Sequence, residues 1–128
     1  MPIRTIWEND EKKVMIWAYE GIWGLDEFYE AYEAGNQMMD TVEYPVNLIF
    51  DMSKSVSLPN GFMGAIRSVS QKPHRNLGIM VIIGANKLVQ IFNDLVAKVY
   101  RGNNTRKMYL VRSYEDAHAI FEQAAEPT

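Results

Sequence analysis

Two runs of this chain, Val46–Phe50 and Leu77–Ile83, carry no charged residue and are rich in Val, Ile and Leu. A strand wetted on one side alternates apolar and polar residues, whereas near-continuous apolar runs belong to strands covered on both faces. Each run is followed by residues at helical spacing: Phe62, Ile66 and Val69 after the first, and Leu88, Phe92, Leu95 and Val99 after the second. Repeated strand-to-helix units require parallel pairing with right-handed crossovers, so the chain reads as α/β.

The opening follows a different pattern. Ile3–Glu8 and Lys13–Tyr19 are β-rich segments joined by the polar Asn9-Asp10-Glu11, which predicts an antiparallel hairpin. Gly21-Ile22-Trp23-Gly24 breaks the second strand. Leu25, Phe28, Tyr32, Gly35 and Met39 then share one helical face, predicting a helix from about Leu25 to Asp40. Pro45 restarts the chain into a strand over Val46–Met52, and Pro59 suits the first turn of a second helix ended by Lys72-Pro73, with Asn60 able to cap it. Asn86 and Gly102 read as the cap and stop of a long third helix. Lys107–Val111 is the last strand, and Ser113-Tyr114-Glu115-Asp116 resembles a capping box ahead of Ala117, Ile120 and Phe121. The expectation is one α/β domain over residues 1–128, with its core in about 3–123. It has a mixed five-stranded sheet, mostly parallel with one antiparallel edge strand, and four helices.

At 128 residues the chain can bury about two-thirds of its unfolded surface in one core. A net charge of −3 gives no bulk attraction for nucleic acid, and no apolar run reaches the roughly 20 residues a membrane span needs. No nucleic-acid partner and no membrane insertion are expected. The absence of cysteine removes disulfides and thiolate chemistry, and Met1-Pro2-Ile3-Arg4 has no apolar leader core, which fits a cytoplasmic protein.

The strongest pointer to a site is Val46–Gly61, where a buried strand ends on a carboxylate and runs through a hydroxyl-rich loop into a helix. In open α/β sheets ligands meet the protein at such strand ends. The candidate partner- or ligand-binding residues are Asp51, Ser53, Ser55, Ser57, Asn60 and Gly61. Asp51 has the placement of a general base; its plainer role is to accept hydrogen bonds from the amides of Ser53 to Ser55. The serines have the chemistry of phosphate acceptors, and the plainer reading is that they are solvated. His74 and His118 lack metal-pair spacing, and no nucleophile motif is present. No catalytic residue, metal or cofactor is expected; a hydrolase using Asp51 and a loop serine is the weakest reading. Lys72, His74, Arg75, Lys87, Lys98, Arg101, Arg106 and Lys107 read as helix-end complementarity and solubility, or else as an anion-binding face.

Met15, Trp17, Trp23, Tyr29, Met38 and Met39 crowd the first third of the chain. Adaptable apolar side chains of this kind recur at partner surfaces, although core filling explains any single one. Met15, Trp17 and Trp23 are therefore the candidate interface residues of an expected homodimer built from the hairpin and the first helix.

The element order, the strand end Asp51-Met52-Ser53, the short helix carrying Gly61 and Gly64, and Gly21 just before the first helix together resemble the STAS domain of anti-sigma-factor antagonists, the SpoIIAA-like fold. The resemblance spans about residues 3–123. It implies a non-enzymatic regulatory or protein-interaction module with a regulatory protein partner that meets the Asp51–Gly61 loop. In that family an Asp-Ser pair follows the strand, and its serine is phosphorylated to switch partner binding. Counting from Asp51 puts Pro59 and Asn60 at those positions, and asparagine accepts no phosphate. A branch of the fold compared with CRAL-TRIO-like lipid carriers implies the alternative, a carrier holding a small apolar, lipid-like ligand between the aromatic-rich N-terminal elements and the helices.

Overall fold

The computed structural model describes residues 2–71, 73–84, 87, 89–91, 94 and 108–125. Its strands are β1 (Ile3–Trp7), β2 (Val14–Gly21), β3 (Val46–Ser55), β4 (Leu77–Ile83) and β5 (Met108–Val111), and they form a single sheet in the order β1-β2-β3-β4-β5. β1 runs antiparallel to β2, and every later pairing is parallel. The helices are α1 (Leu25–Met39), α2 (Phe62–Ser70) and α3 (Tyr114–Ala125), and Lys87, Val89, Gln90, Ile91 and Asp94 belong to a fourth, between β4 and β5. The expected architecture is present, including the antiparallel edge strand. Phe92, Leu95 and the rest of the expected core stripe of that fourth helix, Leu88 and Val99, lie outside the described residues, as do Asn86 and Gly102. So do Lys72, Lys98, Arg101, Arg106 and Lys107 of the basic cluster.

Strand alternation divides the apolar residues into two layers. Met15, Trp17 and Tyr19 of β2, Leu48 and Met52 of β3, and Met80 and Ile82 of β4 face α1 and α2. Ile49, Val81 and Ile83 face the opposite way and pack on Ala117 and Phe121 of α3. Both faces of β3 and β4 are covered, which is why these two segments have no polar alternation.

α1 begins at Gly24, whose N–H donates to Glu27 Oε1 at 3.0 Å, and it carries Asp26 and Glu27 in its positive first turn. It lies close to the sheet at Gly35. A Cβ on that residue would stand 2.7 Å from Trp17 Cζ2, so a glycine lets helix and indole touch. At α3 the Ser113 hydroxyl accepts the Asp116 N–H at 3.1 Å, the hydroxyl half of the expected capping box.

Two boundaries near the candidate loop differ from the sequence reading. β3 continues past Met52 to Ser55, because pairing with β2 resumes as Glu20↔Lys54 and Gly21↔Ser55 after a shift that gives β3 one extra residue. Such a bulge re-aims side chains at a strand end. α2 starts at Phe62 rather than Pro59. Gly61 is the N-cap and takes a left-handed φ of 81°, a conformation open to glycine at little cost, so Asn60 lies one residue ahead of the cap and does not serve as it.

Candidate functional site

The parallel pairing delivers the C-terminal ends of β2 and β3 side by side, and the bulge in β3 sets what Asp51 meets there. Asp51 Oδ1 accepts both the Ser53 N–H at 3.1 Å and the Ser53 hydroxyl at 2.7 Å. Its Oδ2 accepts the Tyr114 hydroxyl at 2.6 Å, from the first turn of α3. Burial raises the Asp51 carboxyl, but the Ser53 hydroxyl, the Tyr114 hydroxyl, the Ser53 amide and the Lys54 charge together outweigh it and hold the group below its ordinary value. The Tyr114 phenol is driven far above its own ordinary value, first by burial and then by its hydrogen bond to Asp51 and the charges of Asp51 and Glu8. An anion with both oxygens engaged is a weak base, and a phenol this reluctant to ionise is a hydrogen-bond donor. The cluster closes a shallow hollow of about 110 Å³ on the α3 side of the sheet, rimmed by Arg4, Ile6, Glu20 and Lys54.

The predicted serines part company. Ser53 is exposed and ties its hydroxyl to Asp51. Ser55 is 6 % exposed; its Oγ accepts the Trp23 Nε1–H at 2.9 Å and donates to the Ser57 carbonyl at 3.4 Å. It is thus a strut inside the strand and no longer a loop hydroxyl. Ser57 is half-buried and Asn60 and Gly61 are exposed, in a loop whose far end is set by the αL turn at Gly61.

Trp23 is the centre of a ring cluster. Its centroid lies 4.9 Å from that of Tyr19, 6.4 Å from Phe28 and 5.3 Å from Phe62, the last edge-on. This fastens the start of α2 to the end of β2, so the loop between Ser55 and Phe62 is held at both ends. On that rigid base two aliphatic residues stand out: Ile22 is 75 % exposed and Val56 65 %. Their backbones are adjacent, since the Val56 N–H donates to the carbonyl of Gly21, the residue before Ile22, at 2.9 Å.

The expected interface side chains do not face a partner. Met15, Trp17 and Trp23 are 0 %, 4 % and 2 % exposed, because odd-numbered positions of β2 point under α1 and Trp23 turns inward to Ser55. Their size is used to fill the space between sheet and helices. His74 and His118 likewise have local partners: His74 Nδ1 accepts the Asn76 N–H at 3.0 Å, which leaves Nε2 to donate to Asp40 at 2.7 Å, and His118 Nε2 lies 2.6 Å from Glu8 Oε2. Arg75 also pairs with Asp40, at 3.7 Å. Among the described residues no three His, Asp or Glu side chains gather as metal ligands.

Tyr114 was not among the residues picked out by sequence. It stands 63 positions from Asp51, and only the docking of α3 beside β3 brings them together. Ile22 and Val56 did carry a signal, being β-branched residues directly beyond strand ends, where polar turn residues are the norm.

A crystal structure of an uncharacterized protein of the DUF3478 family from Shewanella loihica PV-4, described as having a SpoIIAA-like fold, superposes with a TM-score of 0.69 over 92 % of each chain, at 11 % sequence identity. The fold is SpoIIAA-like. No protein-family model matches the sequence. No curated protein matches it either. In this SpoIIAA-like chain the position expected for the phosphorylated serine holds the exposed Asn60. No helix among the described residues is long and apolar enough to cross a membrane.

Proposed function

We propose that the protein is a non-enzymatic, STAS-like interaction module, and that a regulatory protein partner docks on the ledge formed by Ile22, Val56 and the loop from Ser57 to Gly61. The observation that carries this reading is the pair of aliphatic side chains held outward by a rigid base. Monomer surfaces keep single exposed apolar residues routinely, but a preorganised apolar pair at the end of a sheet lowers the ordering cost of association. Further support comes from the three hydrogen bonds that Asp51 accepts, from the Ser53 amide, the Ser53 hydroxyl and the Tyr114 hydroxyl, which suit a clamp between β3 and α3 better than a proton-transferring group. The module works without serine phosphorylation at the family position, since Asn60 stands there. A cytoplasmic setting fits the chain's lack of cysteine.

The reading includes self-association through the free side of β1, where Ile6 is 43 % exposed. An open strand edge with apolar neighbours favours a second chain. Two measurements test the proposal. Ile22→Asp with Val56→Asp should leave the circular dichroism unchanged and remove the partner that the parent retains in a pull-down from its source cell; a partner retained equally by both refutes the ledge. Light scattering at high micromolar concentration should give a dimer mass that Ile6→Lys lowers, and a monomeric parent refutes self-association.

A further inference from the structure

β1 ends the sheet on one side, and its ladder with β2 decides which of its backbone groups are left over. The Glu20 N–H donates to the Pro2 carbonyl at 2.6 Å and the Glu8 N–H to the Val14 carbonyl at 2.9 Å, with an unbroken register between them from Ile3↔Tyr19 to Trp7↔Met15. Antiparallel ladders alternate, so Arg4 and Ile6 turn their backbone groups to β2, while Ile3, Thr5 and Trp7 turn theirs outward, where no described strand meets them. The side chains of these three lie on the face that α1 covers: Ile3 and Trp7 belong to the core there, and the Thr5 hydroxyl donates to the Ala31 carbonyl at 3.5 Å. Along this open edge runs a groove of about 310 Å³ between β1 and Glu27, Glu30, Ala31 and Ala34 of α1. An apolar cavity of roughly 150 Å³ takes up benzene, so the groove has room for an indole.

We infer that the occupant is a second copy of this chain, whose β1 pairs antiparallel with this one about a twofold axis at Thr5 and seats the partner's Trp7 in the groove. The inference rests on the self-association reading above and fixes its register and its anchor. With the axis at Thr5, that residue meets its own copy and Ile3 meets the partner's Trp7, so all three outward-facing residues of each strand are paired and Arg4 stands opposite the partner's Ile6. An axis at Arg4 sets two arginines directly opposite each other, which destabilises a ladder. An axis at Ile6 leaves Ile3 opposite the partner's Asn9, in the bend beyond β1. The anchor follows from size and hydrogen bonding. Trp7 is half-buried against its own core, and its indole N–H has no acceptor among the described residues. The small Ala31 and Ala34 leave the groove open along Ile3, and the exposed Glu30 carboxylate on its wall supplies a charged acceptor for that N–H. Indole and groove lie toward opposite ends of the same strand, the arrangement a twofold requires, since each copy then gives one and receives the other. The seam is distinct from the ledge at Ile22 and Val56, so partner docking there does not depend on it.

The chain has no cysteine, so two single-cysteine variants at exposed positions, Arg4→Cys and Ile6→Cys, read the register directly. Mixed in equal amounts and oxidised gently, they should give the mixed disulfide well above the share that random pairing produces, with the three products separated by intact mass. Opposed residues outside the hydrogen-bonded pairs have Cα atoms about 4.5 Å apart, within disulfide reach, whereas each variant with its own copy is diagonal at about 7–8 Å. Trp7→Ala should weaken the dimer about tenfold or more in sedimentation while circular dichroism matches the parent. If that variant does not fold, Ala34→Phe, at an exposed position that fills the groove, takes its place and should weaken the dimer likewise. A parent that stays monomeric at high micromolar concentration overturns the inference together with the self-association reading. A dimer whose mixed disulfide does not exceed the random share, or one that the folded groove variant leaves unchanged, overturns the inference and leaves self-association standing.

Discussion

Ser55→Ala removes one oxygen from the interior and isolates one N–H. The Trp23 indole is 2 % exposed and its Nε1–H has the Ser55 Oγ as acceptor at 2.9 Å, so the variant leaves a desolvated donor with no water to replace the lost partner. The ring is wedged among Tyr19, Phe28 and Phe62 and does not turn the N–H outward. An orphaned buried donor costs about 1–3 kcal/mol. For a domain of this size that is a fall in Tm of about 4–12 °C. Urea denaturation followed by fluorescence measures it, with a lower midpoint at an unchanged m-value. Ser53→Ala is the control, because its hydroxyl is exposed and its loss should cost less than about 1 kcal/mol. A double-mutant cycle isolates the bond: in a Trp23→Phe background, where no N–H is left to orphan, Ser55→Ala should cost less by about 1 kcal/mol or more. Equal costs in both backgrounds, or a Ser55→Ala effect no larger than that of Ser53→Ala, would show that this strut does not hold the loop.

Tyr114→Phe removes a donor from the Asp51 carboxylate and should move its titration, followed by carbon NMR, up toward the ordinary carboxylate value. Because the folded-state carboxyl lies below its unfolded value, its contribution is fully present above the unfolded value and is lost as pH falls through the folded one; acidification should therefore erode the variant's stability less than the parent's. Gly35→Ala gains about 1 kcal/mol of helix propensity but places a methyl 2.7 Å from Trp17, and since overpacking costs about 1–3 kcal/mol the midpoint should fall; a raised midpoint would mean that α1 shifts freely. Ile22→Asp and Val56→Asp, each at an exposed position, should change stability by less than about 0.5 kcal/mol in the same denaturation assay.

The sequence by itself determined the element order and the parallel centre of the sheet. The uncharged runs at Val46 and Leu77 have one stable home, between two helical layers, and periodicity is a local property that survives without knowledge of any partner. Turn chemistry gave the hairpin and the start of α1 for the same reason. Tertiary structure decided which way side chains face and which distant residues meet. Large aromatics carry the same hydrophobicity whether they fill a core or an interface, so composition could not place Met15, Trp17 and Trp23; the register of β2 beneath α1 did. One extra residue in β3 carried the strand through to Ser55 and converted an expected loop hydroxyl into the acceptor for Trp23. The αL turn at Gly61 moved the start of α2 past Pro59 and Asn60, a choice between two adjacent caps that depends on where Phe62 must sit in the ring cluster. The Asp51–Tyr114 bond and the groove between β1 and α1 belong to this second class entirely, since each arises from how whole helices settle on the sheet, and no window of neighbouring residues encodes that placement.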